Sequence, residues 1–161
     1  MSLDNRPQYS GGCQCGAVRF RVEGALGDAS VCHCRMCQKA SGNFYLPLVS
    51  VREAKLTWTR GEPKRFRSSS HAHRGFCADC GTPLTYEWEG ADVEVAIGAF
   101  DDPAAIKPVM QIQTQDKLPW FGELDGLPGR PGGETAKADA LFAKIVSYQH
   151  PDHDTESWPH G

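Results

Sequence analysis

With 161 residues, 40% of them hydrophobic, the chain can bury one cooperative core and is too short for two ordinary ones. Seventeen Lys and Arg against twenty Asp and Glu, a formal charge of -3, exclude a general attraction to phosphate backbones, so no nucleic-acid partner is expected. No apolar run approaches the about 18 residues that span a bilayer, and residues 1–12 lack an apolar signal-peptide centre, so a soluble protein of the cytoplasm with no membrane partner is expected.

Residues 1–10 read as a flexible N-terminus. Beyond them the pattern is one of short strands punctuated by turns. Ala17-Val18-Arg19-Phe20-Arg21-Val22 alternates apolar and polar and is followed by Gly24. A turn or short helix fits residues 35–41, ended by Gly42. Strand signals return at 44–51, 55–59, 64–67, 84–88 and 93–100, separated by turn residues at Gly42-Asn43, Gly61-Glu62-Pro63, Gly81-Thr82-Pro83 and Gly90. Asp101-Asp102-Pro103 can cap a short turn through Ile106. The spacing predicts an all-β domain of short antiparallel strands over residues 11–130. A Gly- and Pro-rich loop at 126–133 marks its edge, and residues 131–161 hold a C-terminal helix and a polar tail. The helix is placed at 137–148, with Ala140, Leu141, Ile145 and Val146 at helical spacing for packing on the domain, and 151–161 reads as loose.

The basic stretch 64–74 carries Lys64, Arg65, Arg67 and Arg74, with His71 and His73 among them. A solvated strand face is its ordinary reading, and an anion-binding edge is the alternative.

The seven cysteines fall in tight groups: Cys13 and Cys15; Cys32, Cys34 and Cys37; Cys77 and Cys80. An odd count, in a reducing compartment, at separations too short for good disulfide geometry, argues against disulfides. Zinc accounts for the grouping, because a turn carrying two or three thiolates can present them at roughly 2.3 Å from one cation. Two partitions are open. Cys13, Cys15, Cys77 and Cys80 can surround one zinc and Cys32, Cys34 and Cys37 a second, or Cys34 and Cys37 can pair with Cys77 and Cys80 in a ribbon. The first is preferred because it uses every cysteine, giving up to two zinc ions per chain. A closed four-cysteine site can only serve folding, whereas three cysteines leave a coordination position open. Three thiolates make zinc a mediocre activator of water and suit it to binding another thiolate. The trio can also be a closed site completed by His33, His71 or His73.

Gly12-Cys13-Gln14-Cys15-Gly16, Cys32-His33-Cys34-Arg35-Met36-Cys37, Ser41-Gly42-Asn43-Phe44, Cys77-Ala78-Asp79-Cys80-Gly81, Gly98-Ala99-Phe100-Asp101-Asp102-Pro103 and Leu118-Pro119-Trp120-Phe121 together resemble the glutathione-dependent formaldehyde-activating enzyme family, which includes domains related to centromere protein V. The resemblance implies a β-tent fold. It implies a structural zinc on Cys13, Cys15, Cys77 and Cys80 and a catalytic zinc on Cys32, Cys34 and Cys37. It further implies carbon–sulfur lyase chemistry, the reversible condensation of formaldehyde with glutathione to S-(hydroxymethyl)glutathione. The expected function is therefore a zinc-dependent enzyme making or cleaving adducts of a small aldehyde with glutathione or another thiol. A zinc-stabilised module that binds another protein is the alternative. His33, His71 and His73 are candidates for proton transfer, and Arg35, Lys39 and Arg74 for the carboxylates of glutathione, each being ordinarily a surface residue.

Overall fold

Alternation in the first amphipathic segment buries Phe20 and Val22 completely and leaves Arg21 exposed between them. In the computed structural model, which describes residues 6–90, 93–130 and 132–158, that segment is β2 (Arg19–Glu23). It lies between β1 (Gln8–Gly12) and β5 (Lys55–Arg60) in an antiparallel three-stranded sheet. Residues 8–10, read from sequence as flexible, are thus strand. Tyr9 is the one apolar side chain among them and is too little for a period-two signal; pairing with β2 and its contact with Phe100 supply the order.

The second sheet has seven strands: β3 (Ala29–Cys32), β4 (Leu46–Ser50), β6 (Lys64–Arg67), β7 (Ala72–Phe76), β8 (Pro83–Trp88), β9 (Val93–Ala96) and β10 (Met110–Ile112). Their spatial order is β10-β3-β4-β9-β8-β7-β6, and every pair is antiparallel except the parallel contact of β10 with β3. The all-β class follows. The run 93–100 does not continue as one strand: after β9 it tightens into a 3-10 turn at Ile97–Ala99.

The two sheets share one core. Phe20 meets Phe100 edge to face at 5.1 Å and Trp58 at 6.0 Å, and Val49, Leu84 and Val95 of the larger sheet are fully buried in the same cluster. Each such side chain contributes about 1.5–3 kcal/mol by leaving water. Arg19 is buried as well, and Asp101 holds it by two hydrogen bonds of 2.7 Å, so the Gly98 to Pro103 motif serves to dock β2.

The chain forms two compact units. One comprises the residues up to Lys117 together with those from Gln149 onward, and the other is Leu118–Tyr148. The smaller contains a 3-10 helix at Phe121–Gly126 and α2 (Gly132–Phe142); the short α1 (Arg35–Ser41) belongs to the larger. The helix expected at 137–148 therefore starts earlier and stops before Ile145 and Val146, and Leu141, Ile145 and Val146 are exposed rather than packed. Among the described residues no helix is long and apolar enough to cross a membrane.

Candidate metal centres

Cysteine knuckles begin with backbone geometry. Gly16 and Gly81 follow the second cysteine of each pair at φ of 75° and 79°, in the left-handed region where a side chain is strained. The turns let backbone amides donate to ligand atoms: Val18 N lies 3.2 Å from Cys13 Sγ, while the Thr82 hydroxyl lies 3.1 Å from Cys80 Sγ. Cys13, Cys15, Cys77 and Cys80 meet with all four Sγ atoms within 4.8 Å of one another. Cys13 and Cys15 are 3.6 Å apart and Cys15 and Cys77 3.8 Å, close to the about 3.8 Å edge of a tetrahedron with 2.3 Å zinc–sulfur bonds. The donor set fits zinc. Burial pushes Cys13 up and also opposes ionisation of Cys80, where the Thr82 hydroxyl and backbone donors more than offset it and bring the thiol down to about 6.

The second cluster is built differently. Cys32 ends β3, Cys34 caps α1 by accepting from Cys37 N at 3.3 Å, and Cys37 sits inside that helix, which Gly42 closes in the left-handed conformation. Their three Sγ atoms also lie within 4.8 Å of one another. The fold thus assembles the four-plus-three grouping, and the ribbon pairing is absent. Gln38, buried and unremarked in the sequence, fastens the helix by donating to the carbonyls of His33 at 2.7 Å and Asp116 at 3.1 Å.

The three-cysteine cluster borders a cavity of about 430 Å³, also lined by Met36, Leu48, Tyr86, Ile112, Glu94 and Asp116, whereas a smaller space of about 150 Å³ reaches Cys13 of the four-cysteine cluster. Arg35 and Arg74 also line it, whereas Lys39 is exposed elsewhere. Arg74 corrects its sequence reading as a solvated surface charge: it is 4% exposed and its Nη2 donates to Cys37 Sγ at 3.3 Å. The Cys37 thiol is lowered to about 5, first by the hydrogen bond from Cys32 and then, against burial, by Arg74, while Cys32 is raised in return. The rest of the basic stretch is the solvated face expected, with all of β6 exposed and Arg65 on Glu87 at 2.9 Å.

None of the three candidate histidines lines this cavity. His33 is fully buried with Nε2 2.9 Å from Gln111 Oε1; His71 is exposed, stacked near Trp88 and 3.8 Å from Glu89; His73 is a half-buried residue of β7. Among the described residues no histidine closes the trio.

Residues 8–116 match the glutathione-dependent formaldehyde-activating enzyme family. The chain belongs to that family. An uncharacterized lyase of Schizosaccharomyces pombe is 28% identical over 94 residues, which are 58% of this chain and 68% of the relative. A Rhodobacter sphaeroides protein of known crystal structure superposes with a TM-score of 0.50 at 22% identity, over 63% of this chain and 98% of that one, a likeness of fold alone. The match covers every cysteine and stops at the end of the larger unit's first segment, so Leu118-Pro119-Trp120-Phe121 falls outside it.

Proposed function

We propose that this member of the family is a carbon–sulfur lyase that makes and breaks adducts between a thiol and a small aldehyde beside Cys32, Cys34 and Cys37. Cys13, Cys15, Cys77 and Cys80 hold a second, structural zinc. The observation that carries this reading is the cavity: three convergent sulfurs form part of the wall of a space of about 430 Å³. Zinc held by these three sulfurs would supply a soft position that favours thiolate over water.

The reaction is an addition with nothing lost. The thiol sulfur bonds to the carbonyl carbon, the π pair moves to oxygen, and the proton given up by the thiol ends on that oxygen; cleavage is the reverse. Met36, Leu48 and Ile112 supply apolar wall beside Arg35, Arg74, Glu94 and Asp116, so the charges that develop meet fixed protein groups. Proton transfer falls to Glu94, Asp116 or the Tyr86 hydroxyl, which border the cavity, in place of the histidines. The family's description points to glutathione and formaldehyde as the pair, giving S-(hydroxymethyl)glutathione.

Exchange between free and adduct species in mixtures of formaldehyde and glutathione, followed by NMR, tests this directly. Exchange broadening that grows with protein concentration supports the reading, and a rate equal to the spontaneous one sinks it.

A further inference from the structure

The two cysteine clusters differ in what touches their sulfurs. In the four-cysteine group the donors to Cys13 and Cys80 are a backbone amide and a hydroxyl, both neutral. In the three-cysteine group one donor is the guanidinium of Arg74. That side chain is 4% exposed and takes part in no ion pair with a carboxylate among the described residues. Its Nε donates to Ser68 Oγ at 2.9 Å and its Cζ lies 4.8 Å from the ring centroid of Tyr86, its cross-strand neighbour. Both contacts are neutral. Arginine stays protonated in proteins, and a buried charge without an opposite one is costly. Among these contacts Cys37 Sγ is the one atom able to carry the opposite charge.

Charge counting then separates the centres. Four thiolates on a divalent cation total -2, and three total -1. The metal with its three sulfurs then carries -1 and repels a further anion, and the guanidinium held on Cys37 Sγ brings that unit to zero, while Arg35, Glu94 and Asp116 add one positive and two negative charges to the cavity around it. Resting on the reading of the trio as a thiol site, we infer that Arg74 is a positioning residue whose fixed charge lets the three-cysteine centre accept an anionic sulfur, giving it preference for thiolates over neutral donors. Ser68 and Tyr86 hold the guanidinium against Cys37, which prevents it from swinging out to water.

The test uses cobalt(II)-loaded full-length protein, whose absorption reports the ligands directly. 2-Mercaptoethanol serves as the probe that binds as thiolate, its proton passing to the buffer, and imidazole as the neutral probe. The wild type should take up both. Arg74→Gln should weaken 2-mercaptoethanol at least tenfold while imidazole changes less than threefold, and Arg74→Lys should recover most of the loss. Equal weakening of both probes means that Arg74 only shapes the site, and unchanged thiol affinity means that its charge is irrelevant; either overturns the inference and leaves the thiol reading standing. A wild type that takes up imidazole but no thiol overturns both. If Arg74→Gln does not fold, Arg74→Lys decides alone, because a loss above tenfold with the charge retained rejects a role for charge.

Discussion

The two cysteine centres solve opposite problems with the same side chain. Cys13 and Cys15 meet Cys77 and Cys80 across a sequence gap of about 60 residues, so that centre ties the start of the chain to its middle. Cys32, Cys34 and Cys37 lie within six residues at one strand end and one helix turn, and they close no large loop. The distant set lies under the chain's final segment and the local set borders a cavity. Loss of a metal should therefore unfold the protein at one centre and merely silence it at the other.

The largest expected effect tests that asymmetry. Structural zinc binding is worth about 10–16 kcal/mol in small peptides, comparable with the whole stability of a domain. Cys80→Ser should therefore unfold or aggregate the protein, whereas Cys37→Ser should keep its thermal transition within a few degrees and lose one zinc together with thiol-adduct chemistry. Melting temperature and zinc content, measured on both variants, decide the matter. Metal removal should run in the same order: a mild chelator should strip Cys32, Cys34 and Cys37 before Cys13, Cys15, Cys77 and Cys80, and before any loss of circular dichroism. If both ions leave together with unfolding, the comparison fails.

How much of this was legible depended on range. The Cys-x-Cys-Gly and Cys-x-x-Cys-Gly turns, α1 with its Gly42 stop, and β6 at residues 64–67 are local patterns, and local chemistry produced each where the sequence placed it. β7 was missed because His73 and Arg74 hide its alternation, and β10 because its three residues are all exposed and carry no period at all. The burial of Arg74 was also illegible, since a basic run gives no sign of which member faces inward. Pairing opposite Tyr86, with α1 contributing Cys37, is what turns it inward. A periodic apolar pattern misled in the other direction at α2, which ends at Phe142 with Leu141 exposed.

A smaller effect is expected at the clamp that docks β2. Asp101 binds both Nη atoms of Arg19, and Asp154 shares the same guanidinium at 2.7 Å. Breaking a buried pair outright costs about 3–5 kcal/mol, so Asp101→Asn should cost about 2 kcal/mol, because Asp154 stays in place. Chemical denaturation measures it. Burial raises the Asp101 carboxyl, but the bonds from Arg19 and Ser10 outweigh it, and its pKa lies below the ordinary value; Asp154 is lowered chiefly by Arg19. A carboxyl lowered on folding stabilises above its unfolded value, about pH 4, and loses that contribution as pH falls through the folded value. The variant and the wild type should therefore converge in stability below pH 4, with the gap widest above pH 5. A gap that does not change with pH would mean that packing, not charge, accounts for the cost.

The smallest effect sharpens the comparison most, because it should touch one centre only. The segment read from sequence as a loose tail instead docks beside the four-cysteine knuckle. His150 is buried and its N donates to Gln14 O at 2.7 Å, Arg60 donates to the Thr155 carbonyl at 2.6 Å, and Trp158 Nε1 donates to the Cys15 carbonyl. The Trp158 and His150 rings, 5.0 Å apart, press on Gly16, where a Cβ would collide with both. A dispersed set of polar residues gave no warning of this, since each bond depends on a partner more than 80 residues away. Trp158→Phe keeps an aromatic ring but removes the indole N–H and the five-membered ring that lies against Gly16; the lost hydrogen bond alone is worth about 1 kcal/mol, a roughly fivefold change in local opening. Zinc release from the four-cysteine centre to excess chelator should quicken by about that factor, while release from the three-cysteine centre stays at the wild-type rate. Equal acceleration at both centres would show that the segment supports the whole unit, and no acceleration at either would show that the knuckle needs no cover. Only the first outcome, change at one centre alone, fits a segment that guards the staple and leaves the open site free.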